Sequence, residues 1–297
     1  MRPAGSPRAR AALVATAAVA LLALVETAAA LIAPSRAPTE ADWVAAAAAI
    51  REGWKPGDLI VAAPAWADPI LRVHLGDLIP PEVAGRMDDE RFARVWEVSQ
   101  RGARSPEGRR APDGAVRIDR SLGRLRVRLI ERAAPVVTYD FVARWDEARL
   151  ARRGADWTTV ACPMSGARMA CPGPWPTMLE RKVVEVDQRL RVALMTEPVP
   201  GGTVVIEFPQ ARLGRVLAVA TGLHDTWARK AARGTVTARL VIGQRAVALP
   251  ETTDDTGWSE TRVDTGAEDG QVVPVRLEIT SAAPRERYFS FAAEARR

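Results

Sequence analysis

Apolar and polar positions change texture three times along the chain. From Ala11 to Val25 every residue is apolar except Thr16, and after Glu26 the run resumes through Thr27 to Pro34. Arg2, Arg8 and Arg10 precede it with no acid among them. A positive flank before a long apolar segment is an export signal whose amino end stays in the cytoplasm. Ala11–Ala33 supplies the roughly 20 residues that a spanning helix needs. Residues 1–34 are therefore expected to form a signal-anchor, a single-pass transmembrane helix with the remainder extracytoplasmic. The alternative is a signal peptide cleaved near Ala28-Ala29-Ala30, which leaves a secreted or periplasmic protein.

The second texture, residues 38–100, alternates helical and strand patterns. Thr39 is placed to cap a helix whose first turn holds Glu40 and Asp42 and which runs through Trp43 and Ile50 to Gly53. Leu59–Ala63 is a short unbroken apolar run ended by Pro64 and reads as a strand buried on both faces. A helix around Pro69–Leu78 and a strand at Phe92–Val98 follow. This rhythm predicts a small α/β domain with a parallel sheet. Residues 101–115 are polar, aperiodic and rich in Gly, Pro and Arg, and are expected to be a linker.

Beyond it, residues 116–297 read as short strands divided by glycine-bearing turns. In RLRVRLI, Leu125, Val127 and Leu129 alternate with Arg124, Arg126 and Arg128, the period of an antiparallel sheet with a wet side. Trp145–Arg153 is the one segment expected to be helical here. The fold class is thus α+β: a membrane helix, a small α/β segment, then an antiparallel, jelly-roll-like β-sandwich.

Composition narrows the chemistry. The chain is 47% hydrophobic and 26% charged, as globular proteins are. Net charge is +6, with Lys55, Lys182 and Lys230 the only lysines among 42 cations. The arginines are spread along strands, which argues against nucleic acid and fits an acidic glycan or anionic membrane surface. Two histidines and two cysteines leave no zinc set, so no metal and no cofactor are expected. Cys162 and Cys171 are expected to form a disulfide in an oxidising compartment.

No nucleophile elbow, phosphate-binding loop, dinucleotide fingerprint or metalloprotease motif is present, and no catalytic residue is assigned. Ligands of open parallel sheets gather beyond the carboxyl ends of strands, which singles out Trp66, Asp68 and His74. Loops at sandwich ends are the other usual place. They offer His224, Asp225 and Trp227, and Asp254, Asp255 and Trp258. An indole beside carboxylates suits a sugar, the ring covering a C–H face while the acids accept hydroxyl protons.

Asp42-Trp43, Ile50, Pro56-Gly57-Asp58-Leu59-Ile60 and Ala63-Pro64, with Phe92–Val98, resemble the extracytoplasmic regions of GT-C membrane glycosyltransferases of the dolichyl-phosphate-mannose type. The resemblance covers residues 42–98. The chain lacks that family's many membrane segments and membrane-embedded acidic loop, so what it implies is an accessory domain and not the transferase. The second half resembles a galactose-binding-type sandwich, nearest at Val216–Gly222 and Val236–Gly243. The function expected is a non-catalytic, membrane-anchored protein that binds envelope glycan or assists a membrane glycosyltransferase. The alternatives are a hydrolase or transferase using Asp68 or Asp225, and a purely structural partner subunit.

Overall fold

A computed structural model describes residues 7–32, 37–112, 114–173, 177–224, 234–255, 257–285 and 287–297. They form two compact units. The smaller comprises Met1–Leu75 and Arg94–Glu131, the larger Gly76–Ala93 and Arg132–Arg297.

In the smaller unit, α1 (Pro7–Ile32) is followed by α2 (Glu40–Gly53). The described side chains of α1 from Leu13 to Ala28 are exposed on every face. The spanning helix expected at Ala11–Ala33 is not shown: among the described residues no helix is long and apolar enough to cross a membrane. Thr39 caps α2 as its sequence suggests. Its hydroxyl accepts from the Asp42 N–H while its own N–H donates to the Asp42 carboxylate at 2.8 Å. Trp43, Ala46, Ala47 and Ile50, one helical stripe, are buried.

The sheet of this unit runs β1 (Leu59–Ala63), β2 (Arg94–Gln100), β4 (Leu125–Glu131), β3 (Val116–Leu122). All five residues of β1 are buried, and β1 pairs with β2 in parallel, as the apolar run predicts. α3 (Asp68–Leu75) lies between them in sequence and buries Leu71 and Leu75.

Two expectations fail here. The residues expected to open the sandwich, 116–131, complete the small sheet instead, because β4 pairs with β2 along its whole length, from Arg94↔Glu131 to Gln100↔Leu125. Residues 101–115 then lie within this unit and do not link two domains. Glu97, fully buried on β2, accepts from the Ser105 N–H at 2.6 Å and pairs with Arg104 and Arg128. That buried carboxylate also draws Arg128 inward from the face expected to be wet.

The larger unit is an antiparallel β-sandwich. One sheet has eight strands: β16 (Ser259–Asp264), β13 (Val216–Leu223), β18 (Phe289–Arg296), β11 (Arg189–Thr196), β10 (Met178–Val186), β9 (Arg168–Ala170) and β8 (Met164–Ser165), with β5 (Val137–Asp140) also on β18. The other has six: β15 (Arg245–Ala248), β14 (Val236–Ile242), β17 (Val272–Ser281), β12 (Thr203–Arg212), β6 (Arg149–Arg153) and β7 (Thr159–Cys162).

Inner faces of both sheets share one core, in which Tyr139 and Phe141 from the first sheet's side meet Phe208 of the second edge to face. The expected disulfide is present. Cys162 ends β7 and Cys171 follows β9, so the bridge fastens one sheet to the other. The helix expected at Trp145–Arg153 is a 3-10 turn at Trp145–Glu147 followed by β6. β6 hydrogen-bonds to β12 on one side and β7 on the other. Ladder pairing on both edges overrides the helical preference of its arginines and alanine.

Candidate functional site

The turn after β1 does not gather its three candidates. The Trp66 indole is 64% exposed. Asp68 turns to Arg72 one helical turn on, at 2.5 Å. His74 faces α2, its ring stacked parallel to Trp43 at 6.2 Å and its Nε2 3.7 Å from Glu40. Asp68 and His74 are thus each engaged with a different neighbour.

The sandwich-end candidates are also largely committed to the fold. Asp225 and Trp227 lie outside the described residues. His224 donates its backbone N–H to Tyr288 O at 3.1 Å. Asp254 neutralises Arg287, which is buried, while Asp255 is exposed and donates its backbone N–H to the Thr253 hydroxyl. The Trp258 indole N–H donates to Arg189 O at 3.0 Å, and the Arg191 guanidinium covers its ring at 4.9 Å. Gly222 is flat against that ring: a Cβ there would sit 3.2 Å from it. Trp258 is a packing residue. Among the described residues no group of three or more acids, histidines or cysteines is placed to hold a metal ion.

A site that the sequence did not reveal lies at the β6–β7 hairpin. Its last strand pair is Arg153↔Thr159. Beyond it Gly154 donates to Thr158 O at 2.9 Å, and Trp157 donates to Gly154 O at 3.1 Å. Residues 155–157 are thus a three-residue loop: a tight turn closed by one residue in the left-handed conformation. That residue is Trp157, at φ 65°. Glycine ordinarily takes such a position, and a bulky side chain there is an outlier. The Asp156 carboxylate fastens the turn by accepting from the Thr158 hydroxyl at 2.6 Å and its N–H at 3.1 Å. Those hydrogen bonds hold the carboxyl below its ordinary value.

The strained turn presents the Trp157 indole to solvent with 75% of the residue exposed. The Arg153 guanidinium lies over the ring, 4.9 Å from its centre. Beside the pair is an open cleft of about 200 Å³ lined by Arg153, Gly154, Ala155, Trp157, Gly201, Gly202 and Thr203. Gly202 cannot carry a side chain, since a Cβ would stand 2.8 Å from Arg153 O and 2.9 Å from Val199. The floor therefore stays bare, with backbone and Thr203 as its polar groups.

A second, smaller cleft of about 70 Å³ opens beside β18 between β5 and β11. Its acids are each met by an arginine: Arg91 pairs with Asp140 and Glu294, and Arg181 with Glu82, while Arg86 donates to Val83 O. The Trp157 cleft has no carboxylate among the described residues that line it.

No family model and no curated protein matches the chain. Similar solved structures include the carbohydrate-binding module CBM51 from Clostridium perfringens GH95 in complex with methyl-galactose, at 11% identity over 50% of this chain and 80% of that one, TM-score 0.28. Another is CBM51-2 in complex with GlcNAc and INT domains from Clostridium perfringens ZmpB, at 11% identity, TM-score 0.32; the match covers 50% of this chain and 36% of that one. A third is TmCBM61 in complex with beta-1,4-galactotriose, at 12% identity over 34% and 66%, TM-score 0.23. The comparisons show no resemblance to GT-C glycosyltransferases. The sandwich stands on this chain's own strand pairings, and the site on its own side chains.

Proposed function

We propose that the protein is a non-catalytic glycan-recognition module, displayed on the extracytoplasmic side of a membrane. The observation that carries this is the Trp157 shelf: an indole held out to solvent on a strained turn beside a bare-floored open cleft. An aromatic face offers a sugar ring the C–H contact that water cannot, and the polar rim satisfies hydroxyls. Glycoside cleavage ordinarily requires two carboxyl groups about the bond, and the lining residues offer none, which supports recognition over hydrolysis.

The basic leader and the apolar positions of α1 support attachment to the membrane through that helix. Leu13, Leu21, Leu22 and Leu24 of α1 are all exposed, apolar positions that a lipid surface would cover. A place beside a membrane glycosyltransferase belongs to the same proposal and rests on the sequence motifs of residues 42–98 alone. A broad glycan array probed with the full chain in detergent tests the reading. Binding to a defined subset of glycans, lost in Trp157→Ala and kept in Trp66→Ala, is the expected result. Binding unchanged by Trp157→Ala, or bound glycans nowhere on the array, would overturn it.

A further inference from the structure

We infer that the sugar recognised at the Trp157 shelf is acidic, a hexuronate whose carboxylate is met by Arg153. The inference rests on the glycan-binding reading above and adds the class of ligand.

Strand register puts one set of side chains on the outer face of the six-stranded sheet. Arg149 and Arg153 of β6 stand opposite Glu207 and Thr203 of β12. Glu207 in turn stands opposite Arg276 of β17, and Glu278 of β17 opposite Arg239 of β14. This patch therefore sets four guanidiniums against two carboxylates. Directly opposed partners across a sheet interact most strongly, and here the cations outnumber the acids.

Glu278 shows how the surplus is arranged. Its side chain is only 4% exposed and takes three arginines: Arg239 in contact, Arg276 at 3.1 Å and Arg153 at 3.5 Å. One carboxylate cannot neutralise three guanidiniums. Arg153 is the most distant of the three, and it is the one that lines the shelf and lies over Trp157. With its side chain 22% exposed, it keeps donors available at the open cleft. A guanidinium is a planar fork matched to a carboxylate. When a hexuronate ring stacks on an indole through its C–H face, its carboxylate projects from the ring edge, clear of the stack. A neutral hexose would leave the positive patch unanswered.

The test is calorimetric titration of the full chain with hexuronate oligosaccharides, namely galacturonate, glucuronate and mannuronate tetramers, each paired with its carboxyl-reduced form. At least one acidic form is expected to bind about tenfold more tightly than its reduced counterpart, the worth of one charge-assisted hydrogen bond. Arg153→Gln should bring the pair within about twofold, and Arg153→Lys should keep part of the preference. Arg120→Gln, which removes one charge from the smaller unit, should leave it unchanged. Arg239 and Arg276 still neutralise Glu278 in the Arg153 variants, and the lysine variant covers a failure of the glutamine one to fold. Equal binding of acidic and reduced forms, with both lost in Trp157→Ala, would overturn the acidic preference and leave the glycan reading standing. Binding of neither form would overturn the acidic preference, and binding indifferent to Trp157→Ala would overturn both.

Discussion

Arg153 and Trp157 face each other across a turn, guanidinium over indole at 4.9 Å, with the tryptophan in left-handed backbone at φ 65°. A left-handed residue with a side chain costs about 1–2 kcal/mol, and an exposed cation–π contact returns about 0.5–1 kcal/mol. The fold gains nothing clear from placing the bulkiest side chain where glycine belongs. The shelf gains a fixed aromatic face.

Trp157→Gly and Trp157→Ala separate these two roles. At an ordinary exposed position glycine is less stable than alanine by about 0.5–1 kcal/mol. Here the order should reverse, with the glycine variant the more stable of the two by about 1 kcal/mol, because alanine keeps the left-handed penalty. Both should lose glycan binding. Urea melts of the two variants measure the order, and a glycine variant less stable than alanine would contradict it.

The bridge between Cys162 and Cys171 closes a loop with a sequence separation of 9 and fastens the two sheets at the strand that continues from the Trp157 hairpin. In the loop-closure account a ring of that size stabilises by about 2.5 kcal/mol. Reduction should lower the stability of the sandwich by about that amount, read as an earlier denaturant midpoint of the larger unit, with the smaller unit unaffected.

Acid should loosen the charged face. Burial pushes the Glu278 carboxyl up, but the hydrogen bond from Arg239 and the charges of Arg239, Arg153 and Arg276 together hold it below its ordinary 4.5. A carboxyl lowered in the folded state contributes stability that is fully present above the unfolded value and is lost as pH falls through the folded one. The sandwich should therefore lose stability below about pH 4.5. Glu278→Gln should flatten that part of the profile in thermal melts run from pH 6 to pH 3.

In the smaller unit Glu97 is fully buried between Arg128, Arg104 and the Ser105 N–H. Removing one member of a buried charged set leaves the others uncompensated. Glu97→Ala should cost that unit about 3 kcal/mol. Hydrogen exchange should quicken first in residues 101–110, which the carboxylate holds to the sheet.

Much of this architecture is legible in the residues. The N-cap at Thr39, the doubly buried Leu59–Ala63, the disulfide and most sandwich strands follow from local pattern, because periodicity and capping are local physics. The strand β6 was not legible: Arg149–Arg153 favours a helix by itself, and only pairing with β7 and β12 makes it extended. Nor was the domain boundary, since nothing local says that Leu125–Glu131 pairs with Arg94–Gln100. The shelf was hidden for the same reason. Trp157 lies just beyond the charged segment expected to be a helix, Trp145–Arg153, and its neighbours Gly201 and Gly202 come from a distant turn. One signal was available: Gly154, Asp156 and Thr158 flank Trp157 with turn-forming residues.

Hydroxyl-radical footprinting of the full chain, with and without the tightest-binding oligosaccharide from the array, measures the central claim at single residues. Trp157 and Trp66 are both well exposed, at 75% and 64%, and so both oxidise readily in the free protein. The account predicts that the oligosaccharide shields Trp157 from oxidation and leaves Trp66 as reactive as before. Shielding of Trp66 with Trp157 unchanged would contradict it.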